Sequence, residues 1–407
     1  MGEKTFSTLL WDAQGNEVRD TFRIRSNPDL FCDDDNDDIT FDYEEMAFKV
    51  RDLSGSEVTA LELISAHHYA VIFSCLPDEK GTDCVIDAIT EDGNHFIIRV
   101  AGTDEKIDLA NVQDCFRREC EVMKWIASST TLPIPRLFYY SVDEQYPYMI
   151  TDKCDGHILA DKFGLFPFEA KVANVRSYAR IAIELFKMNA PEGIGSLLSF
   201  KSDGSSGLQR VILGPSVMPF EPPTVVSSIS DYFKWHFQAK RDSSGIGTNK
   251  DDLEEAQAVL DRLESLVFDC ISGYDPAILR CIPSHEDLGP QNVLVDSSGV
   301  ITAVLDWEYH MVQPAVLAVS YPSWIRYDGR RNPRFIHPNN MSSAIWFSSP
   351  SDAAKLRDIY DEITKEMNPE YYRALKQGEF CRSATDWLDA GLVDRGCQRL
   401  KAWLNSL

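Results

Sequence analysis

The sequence has no long apolar run. None of its 407 residues belongs to a stretch approaching the about 18 consecutive apolar residues that a membrane-spanning helix needs. Residues 1–7 also lack the apolar core of a secretory signal, and Phe6 stands where the N-myristoylation pattern requires Ser or Thr. We therefore expect neither a membrane span nor a lipid anchor.

The cysteines form no recognisable metal-binding or redox pattern. There are ten of them, with no Cys-x-x-Cys pair and no histidines at zinc-site spacing. Thiols of this kind are typical of packed, reduced side chains in a cytosolic protein. The sequence therefore predicts a cytoplasmic location and no structural zinc.

Positive charge is also scarce. The formal net charge is −24, whereas a nucleic-acid-binding protein needs a basic surface to neutralise phosphates. Nucleic acid is thus disfavoured as a partner. Two explanations of the acidic surface stay open: it attracts a cationic small molecule, or it only keeps the protein soluble.

One stretch concentrates chemically useful residues. Residues 284–292 read Ser-His-Glu-Asp-Leu-Gly-Pro-Gln-Asn, and Asp-Trp-Glu stands at 306–308. Between them, β-rich runs at 293–295 and 300–305 are joined by Asp-Ser-Ser-Gly, which predicts a hairpin. Asn292 enters the first strand and Asp306 leaves the second, so both side chains are expected at the same end of the hairpin.

Oxygen ligands at that end suit phosphoryl-transfer chemistry. The Asn292 amide oxygen and the Asp306 carboxylate are ligands that Mg²⁺ accepts when phosphate oxygens complete its shell. Asp287, five residues before Asn292, lies in the loop leading to the same end and can orient a hydroxyl and accept its proton. Asp287 is the predicted catalytic residue, and His285 is expected to brace the loop.

These residues carry a resemblance to a known family. His-x-Asp-Leu-x-x-x-Asn followed by Asp-Trp-Glu resembles the aminoglycoside phosphotransferase family, a branch of the protein kinase-like fold that includes choline kinases. The resemblance implies an α+β fold of two lobes, a small antiparallel β-rich lobe and a larger, mostly helical lobe. It also implies that ATP and Mg²⁺ are used and that the γ-phosphoryl group passes to a hydroxyl of a small molecule.

The same resemblance assigns residues of the first lobe. Arg99 stands where kinases present a phosphate-binding Lys, a replacement associated with fungal-type members. Glu119 lies on the apolar stripe of a predicted helix over 111–128, where a buried carboxylate needs a cation. We therefore expect an Arg99–Glu119 pair that contacts the phosphates. Thr151, Asp152 and Cys154 fall in the hinge that the resemblance places beside adenine.

The resemblance also divides the chain. We predict an acidic N-terminal extension at 1–59, a nucleotide-binding lobe at 60–152 and a helical lobe at 153–407. The acidic run at 33–44 is similar to a calcium loop, but Asp38 replaces the required Gly, so a solvated loop is expected. Gly81 is the sole glycine where relatives carry a phosphate-covering turn.

Two alternatives to a small-molecule kinase stay open. Arg99 and the isolated Gly81 suit a degenerate kinase that binds nucleotide or a partner without turnover. A protein kinase is less favoured because the sequence lacks Asp-Phe-Gly and Ala-Pro-Glu. The acceptor is not identified, since aminoglycosides, choline-like amines and fungal-type secondary metabolites all fit a small hydroxylated molecule.

Overall fold

A computed structural model of the protein describes residues 4–24, 43–66, 84–101, 109–142, 146–200, 206–209, 224–242, 250–335, 345–389 and 397–407. It is an α+β fold with antiparallel sheets, as predicted. None of the helices in these ranges is both long enough and apolar enough to cross a membrane.

The described strands and helices alternate unevenly along the chain. The strands are β1 Lys4–Trp11, β2 Glu17–Ile24, β3 Val58–Ala66, β4 Cys84–Thr90, β5 His95–Val100, β6 Leu137–Ser141, β7 Tyr148–Asp152, β8 His157–Ile158, β9 Ser196–Phe200, β10 Ser206–Gln209, β11 Cys281–His285, β12 Val293–Val295, β13 Ile301–Val304 and β14 His310–Pro314. The helices are α1 Tyr43–Ser54, α2 Leu109–Ser129, α3 Leu159–Lys162, α4 Phe168–Lys187, α5 Ile229–Asp242, α6 Lys250–Ser272, α7 Pro276–Leu279, α8 Ala315–Ala318, α9 Pro350–Met367, α10 Pro369–Gln377, α11 Glu379–Leu388 and α12 Gln398–Leu404.

The first lobe is built on a five-stranded antiparallel sheet. Its strand order is β3-β4-β5-β7-β6, and Arg99 in β5 lies opposite Met149 in β7. Alternating side chains such as Ile86, Ile98 and Ile150 are buried on one face, the period-two pattern of a half-covered sheet. Gly93 makes the β4–β5 turn with φ +79°, a conformation that glycine adopts without strain.

The second lobe is mostly helical around a large apolar core. Trp324 and Trp387 are almost fully buried in this core. The Trp324 indole Nε1 donates to Asn174 Oδ1 at 3.0 Å, because a buried N–H needs an acceptor. Long helices such as α4 and α9 pack against each other in this core.

Two small sheets position the catalytic stretch in the second lobe. The predicted hairpin is confirmed as β12–β13, and β8 pairs with β12 on its other side. A second pair joins β11 to β14, with His285 opposite His310. The chain enters β8 through Gly156 at φ +139°, where a Cβ would lie 2.5 Å from Thr302 Oγ1. Only glycine fits this crossing between the lobes.

The structure corrects the predicted acidic N-terminal extension at 1–59. The β1–β2 hairpin is bound to the second lobe, since Trp11 and Trp346 exchange backbone hydrogen bonds of 2.9 and 3.0 Å. Helix α1 places Met46 and Val50 in the apolar core of the five-stranded sheet. The sequence pattern of residues 1–59 predicts neither element, although Met46 and Val50 stand four residues apart, at helical spacing. Most of the run 33–44, and Gly81, lie outside the described residues.

Candidate active site

Antiparallel pairing brings Asn292 and Asp306 to the same end of the hairpin. Leu305 N donates to Asn292 O at 2.9 Å, just beyond the last pair of the β12–β13 ladder. Asp306 therefore directly follows Leu305, the residue whose backbone is hydrogen-bonded to Asn292. The hairpin thus brings Asn292 and Asp306 to the same end, as the sequence pattern predicted.

Asp287 is held against Asn292 by two hydrogen bonds. The Asn292 Nδ2 group donates to Asp287 O at 2.9 Å and to Asp287 Oδ2 at 3.1 Å. Burial, followed by the negative charge of Asp306, raises the pKa of Asp287 to about 6. A carboxylate whose pKa lies just below neutrality is ionised at pH 7 and still accepts a proton readily.

His285 braces the catalytic loop, as predicted. Its Nε2 lies 2.9 Å from Leu305 O, and the amide of Asp287 donates to its Nδ1 at 3.3 Å. Burial lowers the pKa of His285, which keeps the imidazole neutral. A neutral ring serves both bonds, because one nitrogen donates while the other accepts. The histidine thereby ties the Asp287 loop to the end of β13.

Asp306 occupies a strained backbone position. Its φ is +60°, in the left-handed region that non-glycine residues rarely adopt. The conformation leaves Asp306 Oδ1 buried, with no hydrogen-bond donor among the residues the structure describes. Its nearest cation is Arg99, whose Nη1 lies 3.7 Å away. A buried carboxylate oxygen without a donor is available to a bound cation.

The Arg99–Glu119 pair is also present. Arg99 Nη1 lies 2.6 Å from Glu119 Oε1, and the Glu119 side chain is only 2% exposed. Arg99 Nη2 lies 4.0 Å from Glu308 Oε2. The guanidinium thus connects α2 with the Asp-Trp-Glu segment of the other lobe. No contact was predicted for Glu308, because its approach to Arg99 depends on how the lobes meet.

The donor set fits Mg²⁺ that is shared with a phosphate. The Asn292 side chain uses its amide nitrogen for both of its hydrogen bonds to Asp287, which leaves the amide oxygen available as a ligand beside Asp306 Oδ1. No group of three or more His, Cys, Asp or Glu side chains within the described ranges forms a metal site by itself. Two protein oxygens suit Mg²⁺, which typically takes its other ligands from phosphates and water.

Of the predicted hinge residues, Thr151 and Asp152 end strand β7, and Cys154 follows it. The Asp152 carboxylate accepts from Arg136 N at 2.6 Å, and its amide donates to Arg136 O at 3.2 Å. Thr151 is buried, with its hydroxyl on the Asp152 carbonyl at 3.1 Å. Burial raises the pKa of the Cys154 thiol to about 11, so this thiol is neutral. Hydrogen bonds within the protein therefore engage Asp152 and Thr151.

A cavity of about 310 Å³ is lined by Asp287 and its neighbours. Several of its charged residues received no role from the sequence: Glu286, Arg326, Arg330, Arg382, Asp386 and Asp389. Three arginines, at 326, 330 and 331, stand close together in the sequence. This cluster is the pattern from which a charged site could have been predicted. The cavity is the space in which a molecule would meet the Asp287 carboxylate.

Comparison with known proteins agrees with this geometry. Residues 88–321 match the Phosphotransferase enzyme family, APH. The chain is 32% identical over 330 residues to "Clavilactone A biosynthesis cluster protein Y" of Ampulloclitocybe clavipes, covering 79% of this chain and 80% of that protein.

Two solved structures are among those to which this chain is similar. The gentamicin complex of APH(2")-IIa has a TM-score of 0.49 at 11% identity, covering 89% of this chain and 97% of that one. The Plasmodium vivax ethanolamine kinase has a TM-score of 0.46 at 14% identity and covers 89% of each chain.

Proposed function

Because the chain belongs to the phosphotransferase enzyme family, we propose that it transfers the γ-phosphoryl group of ATP to a hydroxyl of a small molecule. The observation that carries the proposal is the convergence of Asp287, Asn292 and Asp306. The Asn292 amide touches Asp287, and the Asn292 carbonyl accepts from the residue before Asp306. This arrangement supports Asp287 as the base, at the wall of the cavity, with Asn292 and Asp306 beside it as the groups that would hold Mg²⁺.

Asp287 is the group that receives the proton. The acceptor hydroxyl would lie in the cavity and donate its hydrogen bond to the Asp287 carboxylate, which the Asn292 amide holds in place. The oriented hydroxyl oxygen attacks the γ-phosphorus, the bond to the β-phosphate oxygen breaks, and ADP leaves. The hydroxyl proton passes to Asp287 as the new oxygen–phosphorus bond forms.

Arg99, Asn292 and Asp306 would hold the phosphate groups. Asn292 and Asp306 would bind Mg²⁺, which neutralises phosphate charge in the transition state. Arg99, oriented by Glu119 at 2.6 Å, would contact the α- and β-phosphates, for which a guanidinium offers paired donors. The Arg99 guanidinium now lies near the carboxylates of Asp306 and Glu308. When ATP binds, phosphate oxygens would replace these carboxylates as its partners.

The hinge would hold adenine chiefly through its backbone. Residues Thr151, Asp152 and Cys154 border the link between β7 and β8. Because Asp152 is engaged by Arg136 on both its amide and its carboxylate, the backbone of Cys154 is the best placed of the three for the base. The relative from Ampulloclitocybe clavipes is named for a biosynthesis cluster, which favours an acceptor among secondary metabolites.

The first test is Mg²⁺-dependent binding of ATP. Calorimetry on the wild-type chain should give binding that weakens strongly when Mg²⁺ is removed. Asp306→Ala should abolish this dependence, since it deletes a carboxylate that faces the ion. Asp358→Ala is the control, because Asp358 is an exposed carboxylate on helix α9.

The outcome also decides between turnover and binding alone. If the wild type binds ATP with Mg²⁺ and releases ADP only when an acceptor is present, the phosphotransferase proposal is supported. Binding without ADP release under any acceptor favours the degenerate kinase. No binding in either variant contradicts both.

The pKa of Asp287 sets an expected pH profile. Only the ionised carboxylate accepts a proton, and its pKa is about 6. Acceptor-dependent kcat/KM should therefore rise about tenfold per pH unit below pH 6 and level off above it. Initial rates of ADP release from pH 4.5 to 8 measure this, with circular dichroism to exclude acid unfolding. A profile that is flat through pH 6 would argue against Asp287 as the base.

A further inference from the structure

The cavity beside Asp287 has an apolar wall and a charged wall. The apolar wall is formed by aliphatic and tyrosine side chains, among them Ile181, Leu317, Tyr178 and Tyr371. Its volume of about 310 Å³ is at the small end of the range for small-molecule sites. The apolar wall favours an acceptor with a compact apolar or aromatic body. The charged wall decides what polar group that body carries.

Arginine already neutralises one carboxylate of the charged wall. Arg326 Nη2 lies 2.5 Å from Asp386 Oδ2, and Arg326 Nε lies 3.0 Å from Asp328 Oδ1. These side chains are between 17% and 31% exposed, so water screens the pairs only in part. Asp386 is therefore a poor site for an ammonium group of a ligand, which would have to compete with Arg326.

Two further carboxyl groups carry weakened negative charge. Glu286 accepts from the Ser284 hydroxyl and from Gln313 Nε2 at 2.7 Å, and burial raises its pKa. Burial also raises the pKa of Asp389 to about 7. His236 lies 3.5 Å from Asp389 but stays neutral, because burial lowers its pKa to about 3. Burial thus makes these two carboxyl groups weaker acids than an exposed carboxyl group.

The guanidinium groups are not matched in the same way. Arg382 directs its donors to the backbone carbonyls of Val316, Ala374 and Leu375 rather than to a carboxylate. Arg330 lines the same cavity as Asp389, and these two opposite charges interact, although no carboxylate of the described residues forms an ion pair with the Arg330 guanidinium within 4.0 Å. Burial and then the positive charge of Arg326 lower the pKa of neighbouring Arg331 to about 10. The guanidinium groups of Arg326, Arg330 and Arg382 therefore line the cavity together with its carboxyl groups.

We propose that the acceptor carries an anionic group, of the carboxylate class, and that Arg330 is the specificity-determining residue that binds it. A half-buried guanidinium facing a cavity is stabilised by an anionic partner, and its planar fork matches a carboxylate with two parallel hydrogen bonds. This inference rests on the proposed function, since it takes the cavity beside Asp287 to be the acceptor site. It excludes polycationic acceptors in spite of the net charge of −24.

Three phenols of similar size and different charge test the proposal. They are 4-(2-aminoethyl)phenol, 4-(2-hydroxyethyl)phenol and 3-(4-hydroxyphenyl)propanoate, titrated into the full chain at pH 7.5 by calorimetry. The propanoate should bind about 10- to 100-fold more tightly than the amine, the range expected of one charge-assisted hydrogen-bonded contact. The neutral phenol should fall between them.

Variants of Arg330 assign the preference to this side chain. Arg330→Ala should remove the advantage of the propanoate, and Arg330→Lys should retain part of it, because Lys keeps the charge without the fork. Arg334→Ala is the matched control, an exposed arginine outside the cavity lining. It should leave all three affinities unchanged.

Each contrary result overturns the proposal. These results are an amine that binds as tightly as the propanoate, a preference that survives Arg330→Ala, or no binding of any probe at 10 mM, roughly the limit for so few ligand atoms. Titration of ATP with Mg²⁺ into the same samples reports on the phosphotransferase proposal separately. A wild type that binds ATP but prefers the amine loses only the anionic acceptor. One that prefers the propanoate without binding ATP loses only the phosphotransferase reaction.

Discussion

Asp287→Asn is expected to lower acceptor-dependent phosphoryl transfer by about 10²- to 10⁴-fold, the usual contribution of a positioned acid or base. Asparagine has the same size and still meets the Asn292 amide through its oxygen, but it accepts no proton. The bond from Asn292 to the Asp287 backbone carbonyl is kept, so the loop should hold its shape. Binding of ATP with Mg²⁺ should therefore be nearly unchanged, and the loss should appear in kcat.

Asp296→Asn is the matched control for this experiment. Asp296 lies in the exposed β12–β13 turn, where its Oδ1 accepts from the Ser298 amide at 2.8 Å, and an asparagine oxygen accepts equally well. Its activity should equal that of the wild type. An Asp287→Asn enzyme that keeps more than a tenth of the wild-type kcat would remove Asp287 from the chemistry.

Arg99→Met is expected to lower the free energy of unfolding by about 3–5 kcal/mol, the cost of removing one partner from a buried ion pair. Glu119 is 2% exposed and lies 2.6 Å from the guanidinium, so its negative charge loses a close cation in a place where water hardly reaches it. Methionine keeps most of the apolar stem of Arg99. Urea denaturation followed by tryptophan fluorescence measures the loss.

Glu119→Gln should cost less than Arg99→Met. The structure leaves Arg99 with Asp306 at 3.7 Å and Glu308 at 4.0 Å, so its charge keeps neighbours of opposite sign. The double variant should be more stable than the sum of the single losses predicts, with a coupling of about 0.5–3 kcal/mol for residues in contact. Strict additivity would show that the two side chains do not act as a pair.

Local sequence patterns were enough to predict the catalytic stretch. Two β-rich runs and the turn between them predict a hairpin. Because its strands pair antiparallel, the residue that precedes the hairpin, Asn292, and the residue that follows it, Asp306, lie at the same end. The Arg99–Glu119 pair followed from a similar argument, because an inward carboxylate on an amphipathic helix needs a cation from a neighbouring element. Both predictions concern neighbouring elements of the chain, for which the geometry of a strand pair or a helix face allows few other arrangements.

The N-terminal residues show where such reasoning fails. The β1–β2 hairpin is held by Trp346, more than 300 residues away in the sequence. The acidic extension predicted for 1–59 missed this contact, because composition reports the average polarity of a segment and not its distant partner. Helix α1 was also missed, although Met46 and Val50 stand four residues apart, at helical spacing.

The sequence by itself determined the family, the order of the principal strands and helices, and the residue types of phosphoryl transfer. These features depend on the spacing of residues along the chain. The regular hydrogen bonding of helices and strands turns that spacing into a defined local geometry. Only the tertiary structure decided that Arg99 approaches Glu308 and that Asp306 lies at φ +60°. It also decided that Arg330 faces the cavity of Asp287. These features arise from contacts between distant segments, and no local pattern encodes which segments meet.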